Sequence, residues 1–331
     1  MIATRALMRI ATPCGDVQGI MAVGSSPATL MISMRSIRAA SVRAWRVSLL
    51  ACACLTIAGC EATLFAGLNA TDQHRGIAER HGVVFDAEHA LALDVYAPAQ
   101  ANHAPVVVFF YGGDWARGER AWYRFVGSAL AAEGVVVVIP DYRKVPKVAL
   151  DGFMSDAAEA VAWTHAHAGE FGGAANDIFV MGHSAGGQIA ALLATDPEWL
   201  AASGMQPRDL AGFIGLAGCY DFVPVPDDDE DMIAAFGPTP EAQRRGQPVS
   251  FVQGNEPPML LLQGVDDREV VPTNAISLTR AMDARHEDVT LKLYPDVGHG
   301  AVLFALSRPM RGDAPTLSDM LAFIHAHPAA R

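Results

Sequence analysis

A serine sits at the centre of Gly182-His183-Ser184-Ala185-Gly186-Gly187, between the apolar run Ile178-Phe179-Val180-Met181 and a small-residue stretch from Gln188 to Ala194. Strand, G-x-S-x-G and helix in that order predict a nucleophile elbow, a turn so sharp that the serine backbone is strained and its hydroxyl stands clear of the sheet. Glycine is needed two residues to either side of Ser184, because a Cβ there would clash. The helix opening at Ala185 aims free N–H groups, and the positive end of its dipole, at the reacting atoms.

A serine hydroxyl is a weak nucleophile near neutral pH. It needs a base within hydrogen-bond reach and a carboxylate to fix the tautomer of that base. After an elbow of this type the acid and then the histidine follow along the chain. Downstream of Ser184 the histidines are His286, His299, His325 and His327. His299, in Pro295-Asp296-Val297-Gly298-His299-Gly300, falls in a loop just after the last expected strand, on the sheet edge that carries the elbow. His286 ends a helix on the opposite side, and His325 and His327 belong to the terminal helix. His299 is therefore the expected base. The acid should follow the preceding strand, in Leu260-Leu261-Leu262-Gln263-Gly264-Val265-Asp266-Asp267. Asp267, three residues past the glycine, is the expected partner of His299, with Asp266 its nearest rival. Asp296 is too close in sequence to orient that ring. The developing oxyanion needs pre-aimed donors, each worth on the order of 10²–10³ in rate. Ala185 N–H is one. Tyr111-Gly112-Gly113-Asp114-Trp115, directly after a strand, offers Gly112 and Gly113 for the other.

The elements around these residues alternate. Val106–Phe110 and Val135–Ile139 are unbroken β-branched and aromatic runs, the pattern of strands buried on both faces of a parallel sheet. Leu91–Tyr96 alternates as an edge strand should. Further strands are expected at 178–181, 211–216, 258–262 and 289–293, and helices at 121–132, 151–168, 273–284 and 316–325. Strands alternating with helices predict βαβ units and a covered, mostly parallel sheet. One stretch interrupts the alternation: 219–257, rich in Pro and acid, which we expect to form a small cap and to select the substrate. Its run Asp227-Asp228-Asp229-Glu230-Asp231 lacks the central Gly and final Glu of a calcium loop and is expected to be a solvated loop.

The chain has 331 residues and a net charge of −12, enough for one large α/β domain. Nothing basic in it suits nucleic acid. Residues 1–59 are not expected to fold with the rest. Arg35, Arg38, Arg43 and Arg46 precede an apolar run, Val47 to Ala58, which ends in Ile57-Ala58-Gly59-Cys60. A basic segment, an apolar segment and small residues make a secretory signal. The ending is similar to the lipobox of bacterial lipoproteins, which implies lipidation of Cys60, membrane attachment and a place in the cell envelope. A signal of normal length would start at Met34, and we expect translation to begin there. Without residues 1–59 the chain holds 18 Lys+Arg against 35 Asp+Glu, a net charge of −17. Residues 60–82 are expected to be a tether with a short helix, and 83–331 the catalytic domain. Of five cysteines only Cys219 lies beyond Cys60, so no disulfide is expected; Cys219 is read as a small core residue at a strand end.

Together these pieces closely resemble the carboxylesterase branch of the α/β-hydrolases, over roughly residues 83–327. Pro140-Asp141-Tyr142-Arg143, Asp156 through Trp163 and Glu170-Phe171-Gly172-Gly173 add to the likeness. Feruloyl-type esterases, prenylcysteine methylesterase-like proteins and kynurenine formamidases are similar too. The resemblance implies ester hydrolysis through an acyl-enzyme on Ser184, with His299, Asp267 and an oxyanion hole from Gly112, Gly113 and Ala185, and no metal or cofactor. Amide or aryl-formamide hydrolysis would use the same residues. A surface binding module of hydrolase fold is the reading outside enzymology. Two departures stand out. Tyr111 replaces the family's usual His before the two glycines, so the loop must be braced differently. Asp114 must point away from a pocket built for negative charge.

Overall fold

The computed structural model describes residues 61–71 and 76–328. The signal region and Cys60 lie outside the described residues. Helix α1 (61–71) is followed by β1 (Ile77–Asp86), β2 (Leu91–Pro98), β3 (Ala104–Phe110), α2 (Arg124–Ala131), β4 (Val136–Pro140), α3 (Leu150–His167) and β5 (Gly173–His183). Then come α4 (Ala185–Thr195), α5 (Pro197–Ala201), β6 (Gly212–Leu216), α6 (Glu230–Phe236), α7 (Pro240–Arg244), β7 (Met259–Gly264), α8 (Thr273–Asp283), β8 (Val289–Tyr294), α9 (His299–Phe304) and α10 (Thr316–Ala326).

The eight strands form one sheet in the order β1-β2-β4-β3-β5-β6-β7-β8. β2 runs antiparallel to β1 and β4, and every other pairing is parallel. β4, β6 and β7 are buried along their whole length. Their side chains meet helices on both faces, which is why their sequences carry no polar alternation. This is the α/β-hydrolase fold, with a small helical insertion between β6 and β7.

The short helix expected within 60–82 is present as α1, but that stretch is not otherwise all tether, since β1 already begins at Ile77. Leu91–Tyr96 is not the edge: β1 lies outside it, and β2 is second in the sheet. β1 escapes pattern reading because Glu79, Arg80, His81 and Gly82 interrupt its apolar residues and the pairing slips between Arg80 and Val83. The acidic run behaves mostly as a solvated loop, although Asp229 also caps α6 by accepting from Met232 N–H.

Candidate active site

β5 ends at His183, and α4 begins two residues later. Ser184, between them, has φ 55° and ψ −123°, a conformation a residue with a side chain holds only under constraint. A Cβ at Gly182 would run into the carbonyl of Gly186, and one at Gly186 into the carbonyl of Phe110. Both glycines are thus fixed by the closeness of the first turn of α4 to the strand ends. No side chain caps α4, so its leading N–H groups, Ala185 first, remain for a ligand.

Asp267 follows β7 and is buried. Its Oδ2 accepts from His299 Nδ1 at 2.8 Å and from Gln263 Nε2 at 3.0 Å, while Oδ1 accepts the N–H groups of Glu269 and Val270, each at 2.9 Å. Burial pushes this carboxyl up, but the His299 bond and charge and the two backbone donors outweigh it and hold it below the usual carboxylate range. Asp267 is therefore ionised and fixes Nδ1 as the protonated nitrogen of His299. Asp266 and Asp296 are exposed. His286 is exposed at the end of α8, and His327 pairs with Asp288 at 3.2 Å. Of the residues selected from sequence, Asp267 and His299 are bonded to each other, and Ser184, His299, Gly112 and Gly113 line one cavity. His299 opens helix α9 rather than sitting in a free loop, which ties its position to packed Val302 and Leu303.

Sequence reasoning did not foresee His183. It is buried, its ring lies 4.7 Å from that of His299, and Nε2 donates to the His299 carbonyl at 3.1 Å. Burial, and the neighbouring His299, push its pKa down to about 3, so the ring is neutral. It latches the backbone of His299 as Asp267 latches the ring. Gln263 was also missed; one polar residue ending the leucine run of β7 was its only signal.

The oxyanion loop is braced by a tyrosine set. The Tyr111 ring stacks on Tyr123 at 5.3 Å and 11° and packs on Tyr142 at 4.9 Å. Its hydroxyl accepts from Lys144 Nζ at 3.0 Å, and Tyr142 OH donates to the Tyr111 carbonyl at 2.9 Å. Asp114 and Trp115 both have positive φ, 53° and 57°. They are held there by Trp115 Nε1 donating to buried Gln188 Oε1 at 2.8 Å, and Gln188 Nε2 donates in turn to Gly246 O at 2.8 Å. One side chain on α4 thus joins the oxyanion loop to the insertion. Asp114 pairs with Arg117, which takes up its charge at the exposed rim.

Cys219 is half-buried just beyond β6, and burial pushes its thiol up to about 12, which leaves it unreactive. Asp86, His89 and Asp156 could together approach a metal. However, both Asp156 oxygens already accept from Arg143, which supplies the cation.

Ser184, His183 and His299 open into a cavity of about 320 Å³ together with Gly112 and Gly113. No residue of 219–257 lines it, contrary to the expectation that the insertion selects the substrate. The opposite wall comes from α1, through Glu61, Leu64 and Phe65.

The BD-FAE family model matches residues 93–282. Isoprenylcysteine alpha-carbonyl methylesterase of Arabidopsis thaliana is 28% identical over 269 residues, covering 75% of this chain and 62% of that protein. Esterase LipC of Mycobacterium tuberculosis is 31% identical over 247 residues, covering 69% and 61%. The chain thus spans about three fifths of the length of these curated relatives. Among solved structures, an inhibited Esterase B from Lactobacillus rhamnosis superposes with a TM-score of 0.70 at 22% identity, covering 84% of this chain and 96% of that one.

Proposed function

The chain belongs to the BD-FAE family, and from that premise we propose that it is a serine carboxylesterase acting on small-molecule esters. One observation carries the reading most directly: the 2.8 Å bond between buried Asp267 and His299 at a cavity shared with a serine of strained backbone. The names of the relatives support the same reaction. Ser184 Oγ attacks the ester carbonyl while its proton passes to His299 Nε2. The tetrahedral oxygen is received by the N–H groups of Ala185 and Gly113, with Gly112 giving the backbone room to approach. Collapse breaks the bond to the alcohol oxygen, which takes the proton from His299. Water then attacks the acyl-enzyme by the same route, releasing the acid and restoring Ser184. Asp267 stays ionised throughout, and the residues need no metal or cofactor.

The test is hydrolysis of p-nitrophenyl butyrate by the wild type and by Ser184→Ala. Hydrolysis by the wild type with loss in the folded variant is expected. Equal rates would refute the assignment, and a preference for formanilide would move it to the amide side.

We also propose that Cys60 is lipidated and holds the enzyme at a membrane of the cell envelope. The basic segment, the apolar run and Ile57-Ala58-Gly59-Cys60 support this. More than one acyl chain would hold the protein stably. Incorporation of an alkyne fatty acid, lost in Cys60→Ser, is the expected result; equal labelling of both would contradict it.

A further inference from the structure

One wall of the cavity at Ser184 comes from a segment that precedes the hydrolase sheet. Helix α1 is seated firmly. The Phe65 ring stacks on Trp122 at 5.3 Å and 17°, and meets Phe304 edge-on at 6.0 Å. Leu68 is buried. Asn69 donates through Nδ2 to Ala121 O and accepts Phe125 N–H through Oδ1, both at 3.0 Å. These bonds fasten α1 to the entry of α2, so it forms a fixed wall. Leu64 remains 46% exposed although it lines the cavity, and an exposed leucine facing a catalytic cleft is an unfilled apolar contact.

The position of this wall says which part of an ester meets it. His299 begins α9, and Leu303 and Phe304 follow on the next turn, lining the same cavity. His299 must hand its proton to the leaving oxygen, so the group on that oxygen lies on the α9 side. There it meets Leu64, Phe65, Leu303 and Phe304. The rim is acidic: Arg117 already pairs with Asp114 and lies 3.7 Å from Glu61, and the Glu269 carboxylate lies 4.0 Å from His299 Nε2. An anionic group would be repelled there.

We propose that α1 forms the alcohol subsite, that Leu64 and Phe65 set its specificity, and that the preferred substrates are esters of uncharged apolar alcohols. This rests on the esterase reading above. Butyrate esters of methanol, ethanol, butanol and hexanol separate the possibilities, measured on the wild type, Leu64→Ser and Leu64→Trp. Leu64 is exposed, so these variants should fold, which melting curves would verify. For the wild type, kcat/KM should rise with alcohol length. Both variants should lower the hexyl-to-methyl ratio, Leu64→Trp on the order of tenfold. The ratio for p-nitrophenyl octanoate over acetate should not move. An alcohol ratio unchanged in both variants would overturn the proposal, as would a change confined to the acyl series. Failure of the wild type on every ester would instead overturn the esterase reading itself.

Discussion

The imidazole of His183 donates to the backbone carbonyl of His299 at 3.1 Å, so the residue just before the nucleophile fixes the main chain of the base. Burial and the neighbouring His299 nevertheless keep the ring neutral, lowering the His183 pKa from 6.5 to about 3. The unfolded chain takes up this proton below 6.5, whereas the folded chain does not. Stability is therefore fully present above 6.5 and is lost as pH falls towards 3. Asp267, whose folded carboxyl is held low, adds a loss of the same sign below the ordinary carboxylate range.

His183 alone should cost about 1.4 kcal/mol of stability for each pH unit between 6.5 and 3. His183→Gln keeps a donor but has no such titration. Urea unfolding at pH 7.5, 5.5 and 4.5 should show the variant losing less stability than the wild type as pH falls. Parallel losses would show that His183 is charged in the fold.

The strain at Ser184 can be measured without catalysis. Ser184→Gly adopts φ 55° without cost, whereas Ser184→Ala keeps the penalty. Both should be inactive, with Ser184→Gly more stable than Ser184→Ala by about 1 kcal/mol, the lower end of such strain. Equal unfolding free energies would mean that the elbow is relaxed.

Asp267 and Asp266 are adjacent, but only Asp267 holds His299. Asp267→Asn should lower kcat by about 10⁴ with its fold intact, because the wrong tautomer of His299 is then favoured. Asp266→Asn, at an exposed site, should leave kcat unchanged. The reverse pattern in steady-state kinetics would assign the acid to Asp266.

Tyr111 and Gln188 brace the oxyanion loop from opposite sides. Tyr111→Phe removes an acceptor from Lys144, whose burial already lowers its pKa. Gln188→Met leaves Trp115 Nε1 and Gly246 O without partners. Each should lose about 1–3 kcal/mol in urea unfolding. Each should also lower kcat more than it raises KM, since the loop acts on the oxyanion. A rise in KM alone would place these residues in substrate binding instead.

The elbow and the acid were legible because each lies at the end of an apolar strand, where a short glycine-marked turn leaves few places for a side chain to go; the base was legible from Gly298 and Gly300 beside it, just past the last strand. His183 and Gln188 were not legible. Their partners, His299 O and Gly246 O, lie 116 and 58 residues away in sequence, and no local pattern encodes such pairs. The role of α1 was hidden for a similar reason. Phe65 finds its ring partners only after the chain has folded, and Trp122 and Phe304 come from different parts of it. Tyr111 could be marked as a departure, but its answer, a stack between Tyr123 and Tyr142 capped by Lys144, needed three dimensions.

The central claim is that Ser184 is an activated nucleophile. The most direct test treats the folded protein with a fluorophosphonate and maps the adduct by mass spectrometry. The account predicts one phosphonyl adduct, on Ser184, absent from Ser184→Ala and strongly slowed in Asp267→Asn. A folded protein that stays unlabelled, or is labelled elsewhere, would contradict it.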